Sequence, residues 1–177
     1  MRPVPYKSAD LAEPKDLVSS IRARRGGVLL NLDLMLLHSV PLADGWNGFL
    51  RRIRNELTVS PKLRELAICV VAVLTRADYE FHHHLPELLK AGASQAQAEA
   101  LRTLTGASSI PALFDPAERA VISLATEMTR NVEVSDATFA AVKEALQDNQ
   151  QTVELVAIIA AYNMVSRFLV ALKVEME

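Results

Sequence analysis

The side chains best suited to moving protons fall in two short segments of the chain. Glu65 stands just before a long apolar run, and Tyr79, Glu80, His83 and His84 come together in the next segment. If that segment is a helix, Glu80 lies beside His84 and Tyr79 lies beside His83, because residues four apart share a face. A carboxylate that positions an imidazole is a common device for general acid–base catalysis. The pattern therefore predicts proton transfer, with Glu65, Glu80, His84 and Tyr79 as catalytic candidates.

Two environments are open for Glu65. The adjoining apolar run places it near the edge of a core, where burial would raise its pKa and suit it to proton transfer. Alternatively, it is a solvated residue near the start of a helix, where a negative charge complements the helix dipole. Spacing alone does not separate these two interpretations.

The histidine run does not predict a metal centre. Consecutive residues on an α-helix point about 100° apart, so His82, His83 and His84 cannot all serve one site. Di-iron helix bundles need two Glu-x-x-His pairs and two further glutamates, and this chain offers one such pair. A mononuclear site would need a ligand from elsewhere, such as His38 or Glu65. We expect no metal and no cofactor.

Other polar residues are candidates for binding a substrate. Tyr162, Asn163 and Arg167 interrupt an apolar stretch near the end of the chain, and Arg25 precedes a pair of glycines. An arginine can hold a substrate carboxylate with two parallel hydrogen bonds, although it can equally pair with an acid across a subunit contact. The candidate substrate-binding residues are Arg25, His38, His83, Tyr162, Asn163 and Arg167.

Composition favours one compact helical domain that spans residues 1–177. Half of the 177 residues are hydrophobic, aromatic residues are few, and the formal net charge is −2. This balance makes nucleic acid a poor candidate partner.

The longest uninterrupted apolar runs are far shorter than the roughly 20 residues of a membrane span. Because the chain has a single cysteine, Cys69, no internal disulfide or Cys-x-x-Cys site can form. From the short apolar runs and the lack of disulfides together we expect a cytoplasmic protein.

Start and stop signals divide the chain into helices. Residues 1–15, with three prolines, are expected to form an extended arm. Gly26-Gly27 and Gly92 are predicted to end helices, the stretch Gly106–Phe114 to form a loop, and the last helix to run from about Thr152 to the C terminus. This last segment is apolar nearly all round, which predicts a central helix or a subunit contact. Predicted helix starts are Ser60-Pro61, Ser94, Asp115-Pro116 and Ser135.

The segment from Glu65 through Gly92 resembles the core helix pair of the carboxymuconolactone decarboxylase and alkylhydroperoxidase D superfamily. The resemblance extends upstream through RRGGVLLNLDLMLLHSVPLADGW. Downstream it continues through FDPAERAVISLATEMTR to AAYNMVSRFLVAL, and it covers roughly residues 22–172. It implies an all-helical bundle assembled as a homo-oligomer, commonly a trimer or hexamer, with sites near subunit contacts.

In the peroxidase branch of this superfamily, a Glu precedes a Cys-x-x-Cys motif, and a His follows the second cysteine. The Glu of this pattern is matched by Glu65, and the His is matched by His84. Tyr79 matches a Tyr that commonly precedes the second cysteine. Ala77 and Glu80 occupy the two cysteine positions. The resemblance therefore implies that the proton-relay residues are retained, while the dithiol chemistry of the peroxidases is absent.

The branch without cysteines includes decarboxylases of aromatic catabolism. The resemblance thus implies a lyase, or a related acid–base enzyme, that acts on a small carboxylated substrate, for which a lactone is one candidate. His84 would carry the proton, and Arg25 or Arg167 would anchor a carboxylate. Hydrolysis with His84 as the base is also open. The alternative is a non-catalytic ligand-binding or interaction subunit of the same fold, and a hydroperoxide reductase ranks below both.

Overall fold

The computed structural model describes residues 2–104 and 113–177, so the predicted loop Gly106–Phe114 lies largely outside the described residues. Within the described ranges the regular elements are all helices, which confirms the predicted all-α class. In chain order they are α1 (Lys15–Arg24), α2 (Asn31–Leu36), α3 (Val40–Asn55), α4 (Pro61–Thr75), α5 (Asp78–Lys90), α6 (Gln95–Arg102), α7 (Pro116–Arg130), α8 (Asp136–Leu146) and α9 (Asn149–Leu172).

Four helices begin at the predicted capping residues. The side-chain oxygens of Ser60, Ser94, Asp115 and Ser135 each accept a hydrogen bond from the backbone N–H three residues later, at 2.8 to 3.4 Å. Such a cap satisfies a backbone donor that has no partner inside the helix, and it contributes about 1 kcal/mol to stability. The starts of α4, α6, α7 and α8 are therefore local properties of the sequence.

The end of α9 differs from the prediction. The helix does not reach the C terminus but ends at Leu172, because Lys173 adopts a positive φ of 52° and its N–H bonds back to Val170 at 3.2 Å. The tail that follows bonds to the start of the chain. The Glu175 N–H donates to the Tyr6 hydroxyl at 2.9 Å.

Contacts between residues divide the chain into two compact units. The first comprises residues 1–56 and 169–177, and the second comprises residues 57–168. The first unit contains α1, α2 and α3 around a core that includes Val18, Ile21 and Leu50. A single domain over residues 1–177 stays a prediction.

The N-terminal arm packs against its own unit. The Arg2 guanidinium lies 3.6 Å from the centre of the Tyr6 ring and pairs with Glu175 at 3.0 Å. His38 Nε2 lies 2.7 Å from the carbonyl oxygen of Pro5. The expected arm is thus held by its own chain, through the tail and the residues that follow α2.

Helix α4 lies at the centre of the second unit. It packs against α5, α6 and α7, and α7 in turn packs against α8. Ala67, Ile68, Cys69 and Val70 are fully buried, so α4 is buried on every side over this stretch. The short turn at Arg76, which has a left-handed backbone conformation, brings α5 back beside α4. This return positions the residues of the candidate site.

Helix α9 has a buried face and an exposed face. Leu155, Ile158, Ile159 and Tyr162 are fully buried, whereas Val153 is 69% exposed. Its 24 residues are long and apolar enough to cross a membrane by length and composition alone. Because its apolar face packs inside the second unit, we interpret α9 as a core helix. A cytoplasmic location stays a prediction.

Candidate active site

Glu65 and His84 form a buried pair between α4 and α5. His84 Nδ1 lies 2.7 Å from Glu65 Oε2, and their side chains are 13% and 6% exposed. The pair forms because the turn at Arg76 places the second half of α5 beside the first half of α4. Two residues nineteen positions apart in the chain are thereby joined in one hydrogen bond.

The electrostatics of Glu65 differ from both sequence interpretations. The residue is buried, so the interpretation as a solvated carboxylate that complements the helix dipole is wrong. Burial alone would raise its pKa, but the hydrogen bond and positive charge of His84, followed by those of Arg64, lower it by more. The pKa of Glu65 is therefore below its usual value of 4.5, and the predicted raised pKa is also wrong.

An ionised Glu65 determines how the imidazole is oriented. A carboxylate can only accept hydrogen bonds, so Nδ1 of His84 must be the protonated donor. The other ring nitrogen, Nε2, is then the atom that gains or loses a proton when His84 changes charge. Arg64 Nε donates to the second oxygen of Glu65 at 3.1 Å, so Glu65 is hydrogen-bonded to both Arg64 and His84.

Glu80 lies on the same helix but makes a different contact. The Ser166 hydroxyl, on α9, donates to Glu80 Oε2 at 2.5 Å, and both residues are buried. The carboxylate that bonds His84 is that of Glu65, whereas Glu80 joins α5 to α9. The hydrogen bond from His84 Nδ1 goes to Glu65.

Two aromatic contacts fix the rings of the histidine segment. The Tyr162 ring meets His84 edge to face, with 4.9 Å between ring centres, and Tyr162 is fully buried. Tyr79 packs on His83 with 4.5 Å between centres, as their spacing predicts. Tyr162 is thus in direct contact with the imidazole that the family pattern marks as functional.

Asn163 and Arg167 hold each other on α9. Arg167 donates to both the backbone and side-chain oxygens of Asn163, at 3.0 and 2.5 Å. Asn163 donates in turn to the Thr129 hydroxyl at 3.0 Å. The predicted shared face is confirmed, and the arginine already has a neutral partner within its own helix.

Arg25 and His38 belong to the first unit, whereas the glutamate–histidine pair belongs to the second. Arg25 Nε lies 3.3 Å from the buried carboxylate of Asp33, and His38 contacts the carbonyl of Pro5. Both predicted substrate-binding residues therefore have partners from their own unit. Their role in binding a substrate stays a prediction.

An open cavity of about 400 Å³ adjoins Glu65. Its charged lining consists of Lys62, Arg64 and Lys90 with the carboxylates of Glu65 and Glu87. Lys62 is held by a 2.5 Å ion pair to buried Glu118 of α7. The lining residues are Ser60, Pro61, Lys62, Arg64, Glu65, Glu87, Lys90 and Ala91.

Sequence reasoning missed Ser166, Arg64 and Lys62. Arg64 adjoins Glu65 in the chain, so its type and position could have marked it as a partner. Lys62 likewise lies in the first turn of α4. Nothing local could have marked Ser166, which meets Glu80 across 86 positions.

Cys69 is a core residue, as its place in the apolar run predicts. It is fully buried, and burial, reinforced by the negative charges of Glu65 and Glu80, raises the pKa of its thiol far above the usual range. A thiol in this state is a poor nucleophile. Among the described residues, no three His, Cys, Asp or Glu side chains come close enough together to hold a metal ion.

Comparison with known structures shows a widely shared fold. An uncharacterised peroxidase-related protein with an alkylhydroperoxidase AhpD core, from Ralstonia eutropha JMP134, is 17% identical and superposes with a TM-score of 0.83 over 99% of this chain and 92% of its own. A peroxidase-related protein from Silicibacter sp. TM1040 is 16% identical, with a TM-score of 0.80 over 99% of this chain and 90% of its own.

A third similar structure is a cysteine-to-alanine variant of the debrominase Bmp8 in complex with 2,3,4-tribromopyrrole. It is 16% identical and superposes with a TM-score of 0.81 over 100% of this chain and 94% of its own. At these identities the likeness shows the fold alone. No curated protein sequence matches the chain significantly.

The family model of the carboxymuconolactone decarboxylase family matches residues 41–113. This match contains the glutamate–histidine pair, and it also contains Ala77 and Glu80, which the sequence resemblance aligns with the paired cysteines of the peroxidase branch. The sequence match and the AhpD-like fold agree. Residues 41–113 therefore match the carboxymuconolactone decarboxylase family, the chain shares the fold of an alkylhydroperoxidase AhpD core, and its single cysteine leaves no paired cysteines.

Proposed function

We propose that this protein is an acid–base enzyme that acts on a small carboxylated molecule, for which a lactone is one candidate. The observation that carries the proposal is the 2.7 Å contact between buried Glu65 and His84. An ionised carboxylate that orients an imidazole keeps one ring nitrogen protonated and leaves the other to exchange a proton with a substrate. This arrangement supplies what both a lyase and a hydrolase need.

In a decarboxylation, the bond between the carboxyl carbon and its neighbour breaks, and the electron pair remains on the neighbouring carbon as an enolate. Protonated His84 would deliver its Nε2 proton to that carbon, while Glu65 stabilises the imidazolium before the transfer. In a hydrolysis, neutral His84 would instead take a proton from water. In both reactions Glu65 stays ionised and His84 changes its charge.

The cavity beside Glu65 supports a carboxylated substrate. Three cationic side chains, Lys62, Arg64 and Lys90, line it, and they pair with Glu118, Glu65 and Glu87 in that order. A substrate carboxylate would therefore bind through donors that these pairs leave over, not through an excess of positive charge. Arg64 uses its Nε to hold Glu65, and a guanidinium has further donors that can bind a carboxylate. We propose that Arg64 links the substrate carboxylate to the proton relay.

The test is a turnover screen of small lactones and carboxylic acids from aromatic catabolism, run on wild type and His84→Gln. We expect wild type to form product and His84→Gln to lose about 100- to 10,000-fold in kcat/KM, because a glutamine cannot carry the proton. His82→Gln is the matched control, since His82 is exposed on the same helix.

Equal activity in the His84→Gln and His82→Gln variants would remove His84 from the mechanism. A ligand that binds tightly without turnover would favour the non-catalytic binding subunit. Peroxide reduction that disappears in Cys69→Ala would favour a hydroperoxide reductase, which the buried thiol argues against.

We also propose that the protein works as a homo-oligomer, a trimer or hexamer. Val153, Ala160 and Met164 are exposed along one side of α9, and successive members lie seven and four residues apart, so they form an apolar strip. Met164→Glu would place a charge in the strip and is expected to yield a smaller species by light scattering. A wild-type monomer would contradict this proposal.

A further inference from the structure

Helices α5 and α9 meet in two side-chain contacts that lie one helical turn apart, both within the second unit. The Ser166 hydroxyl donates to Glu80 Oε2 at 2.5 Å. The Tyr162 ring meets His84 edge to face, with 4.9 Å between ring centres. On each helix the two contacting residues are four positions apart, and residues at this spacing share a helix face. One face of α5 is therefore matched to one face of α9.

Together the two contacts fix how α9 is aligned with α5. As the chain advances along α5 from the hydrogen bond to the ring contact, it runs backwards along α9, so the two helices are antiparallel here. A single contact would leave α9 free to slide or to rotate against α5. A second contact one turn away, about 6 Å along the axis, restricts both movements.

The hydrogen-bonded contact selects one alignment. Ser166 is fully buried on α9 beside apolar Val165 and Leu169, and Glu80 is 2% exposed. Burying a hydroxyl and a carboxyl group costs more free energy than burying apolar side chains of similar size, and the hydrogen bond between them offsets part of this cost. Such a pair is satisfied only where donor and acceptor meet. We therefore interpret it as a device that specifies alignment rather than one that adds stability.

The ring contact limits the orientation of His84. The hydrogen bond from Nδ1 to Glu65 holds one ring atom, but the imidazole can still rotate about that bond. Tyr162 is fully buried and packs at 90° against the imidazole, which opposes this rotation. A catalytic group must be held within about 20° of its productive direction. The direction of Nε2 therefore depends on where α9 holds the Tyr162 ring.

We propose that Glu80 and Ser166 are positioning residues for the proton relay. Their hydrogen bond holds α9 in the alignment that keeps the Tyr162 ring against His84, and it thereby aims Nε2 of the imidazole at the substrate. In this role Glu80 acts through Tyr162 and not on the substrate itself. The consequence for turnover rests on the proposed function, whereas the consequence for the His84 ring does not.

Proton NMR of the full-length protein can measure the ring contact directly. The chain has three tyrosines and four histidines, so a deuterated protein with protonated tyrosine and histidine gives a simple spectrum. We expect a nuclear Overhauser cross-peak between the rings of Tyr162 and His84 in wild type. Ser166→Ala removes the hydroxyl and should weaken or abolish this cross-peak. Tyr79 and His83 both lie on α5, with 4.5 Å between ring centres, so their cross-peak should stay unchanged as an internal control.

Turnover supplies the second readout. On the substrate that the screen identifies, Ser166→Ala should lower kcat about 10- to 100-fold with little change in KM, because a misdirected imidazole slows proton transfer without weakening substrate binding. Thr152→Val is the matched control. It also removes a buried hydroxyl from α9, but that hydroxyl donates to the carbonyl of Asp148, just before the same helix, at 2.8 Å. Its kcat and both cross-peaks should equal those of wild type.

A cross-peak between Tyr162 and His84 that is equally strong in wild type and Ser166→Ala would overturn the proposal, and so would its loss with an unchanged kcat. If Ser166→Ala does not fold, the double variant Glu80→Met/Ser166→Ala replaces both partners by apolar groups and leaves no unpaired buried carboxyl group. It should keep the control cross-peak within α5 and lose the other, and retention of both would contradict the proposal. The spectra need no substrate, so they test the alignment even if the turnover screen finds no product.

Discussion

Two buried carboxylates, one in each unit, have cationic partners of different chemistry. Glu65 bonds His84 at 2.7 Å, whereas Asp33 lies between Arg24 and Arg25 at 3.6 and 3.3 Å. An imidazole gains and loses its proton near neutral pH, but a guanidinium stays charged at any pH that a folded protein meets. The first pair can therefore move a proton, while the second cluster can only hold charge.

The largest expected effect is a loss of kcat when Glu65 is changed, which the same change at Asp33 should not cause. Glu65→Gln should reduce kcat about 1,000-fold on the substrate that the screen identifies, because the amide still accepts from His84 but no longer stabilises the imidazolium. Asp33→Asn makes the same chemical change in the first unit. Its kcat, measured on folded protein, should equal that of wild type, and equal losses in the two variants would break the comparison.

The free energy of unfolding, in contrast to kcat, should depend more on Asp33 than on Glu65. Asp33→Asn leaves the guanidinium groups of Arg24 and Arg25 without their carboxylate partner, which is expected to cost about 3 kcal/mol in the free energy of unfolding. Urea denaturation at neutral pH would measure this loss. An unchanged midpoint would mean that the arginines find other acceptors, and it would weaken the distinction between a structural and a catalytic cluster.

The smallest expected effect concerns acid pH. Because the folded-state pKa of Glu65 is below its usual value of 4.5, the folded protein holds fewer protons on this residue than the unfolded chain. The contribution of Glu65 to stability is therefore complete above the unfolded-state value and is lost as pH falls through the folded-state value.

Urea midpoints measured from pH 7 down to pH 3 should therefore fall less steeply for Glu65→Gln than for wild type below about pH 4.5. A steeper fall in the variant would mean that the pKa of Glu65 is raised, as burial alone would make it. Such a result would assign Glu65 the role of a proton donor rather than that of a fixed carboxylate.

Local interactions explain which parts of the fold could be predicted. The starts of α4, α6, α7 and α8 follow from a capping side chain and a backbone N–H three residues away, so neighbouring residues suffice to specify them. The end of α9 could not be predicted in this way, because the tail after Leu172 is held by Tyr6 and Arg2 at the opposite end of the chain.

The sequence by itself determined the helical class, the absence of paired cysteines and the glutamate and histidine candidates. Only the tertiary structure decided that His84 pairs with Glu65, that Glu80 pairs with Ser166, and that the pKa of Glu65 falls rather than rises. These outcomes depend on contacts between residues that are far apart in the chain: 19 positions separate Glu65 from His84, and 86 positions separate Glu80 from Ser166. Burial raises the pKa of a carboxyl group, and a positively charged or hydrogen-bonding partner lowers it. The sign of the shift depends on which effect is larger, so it is known only once the partner of the buried group is known.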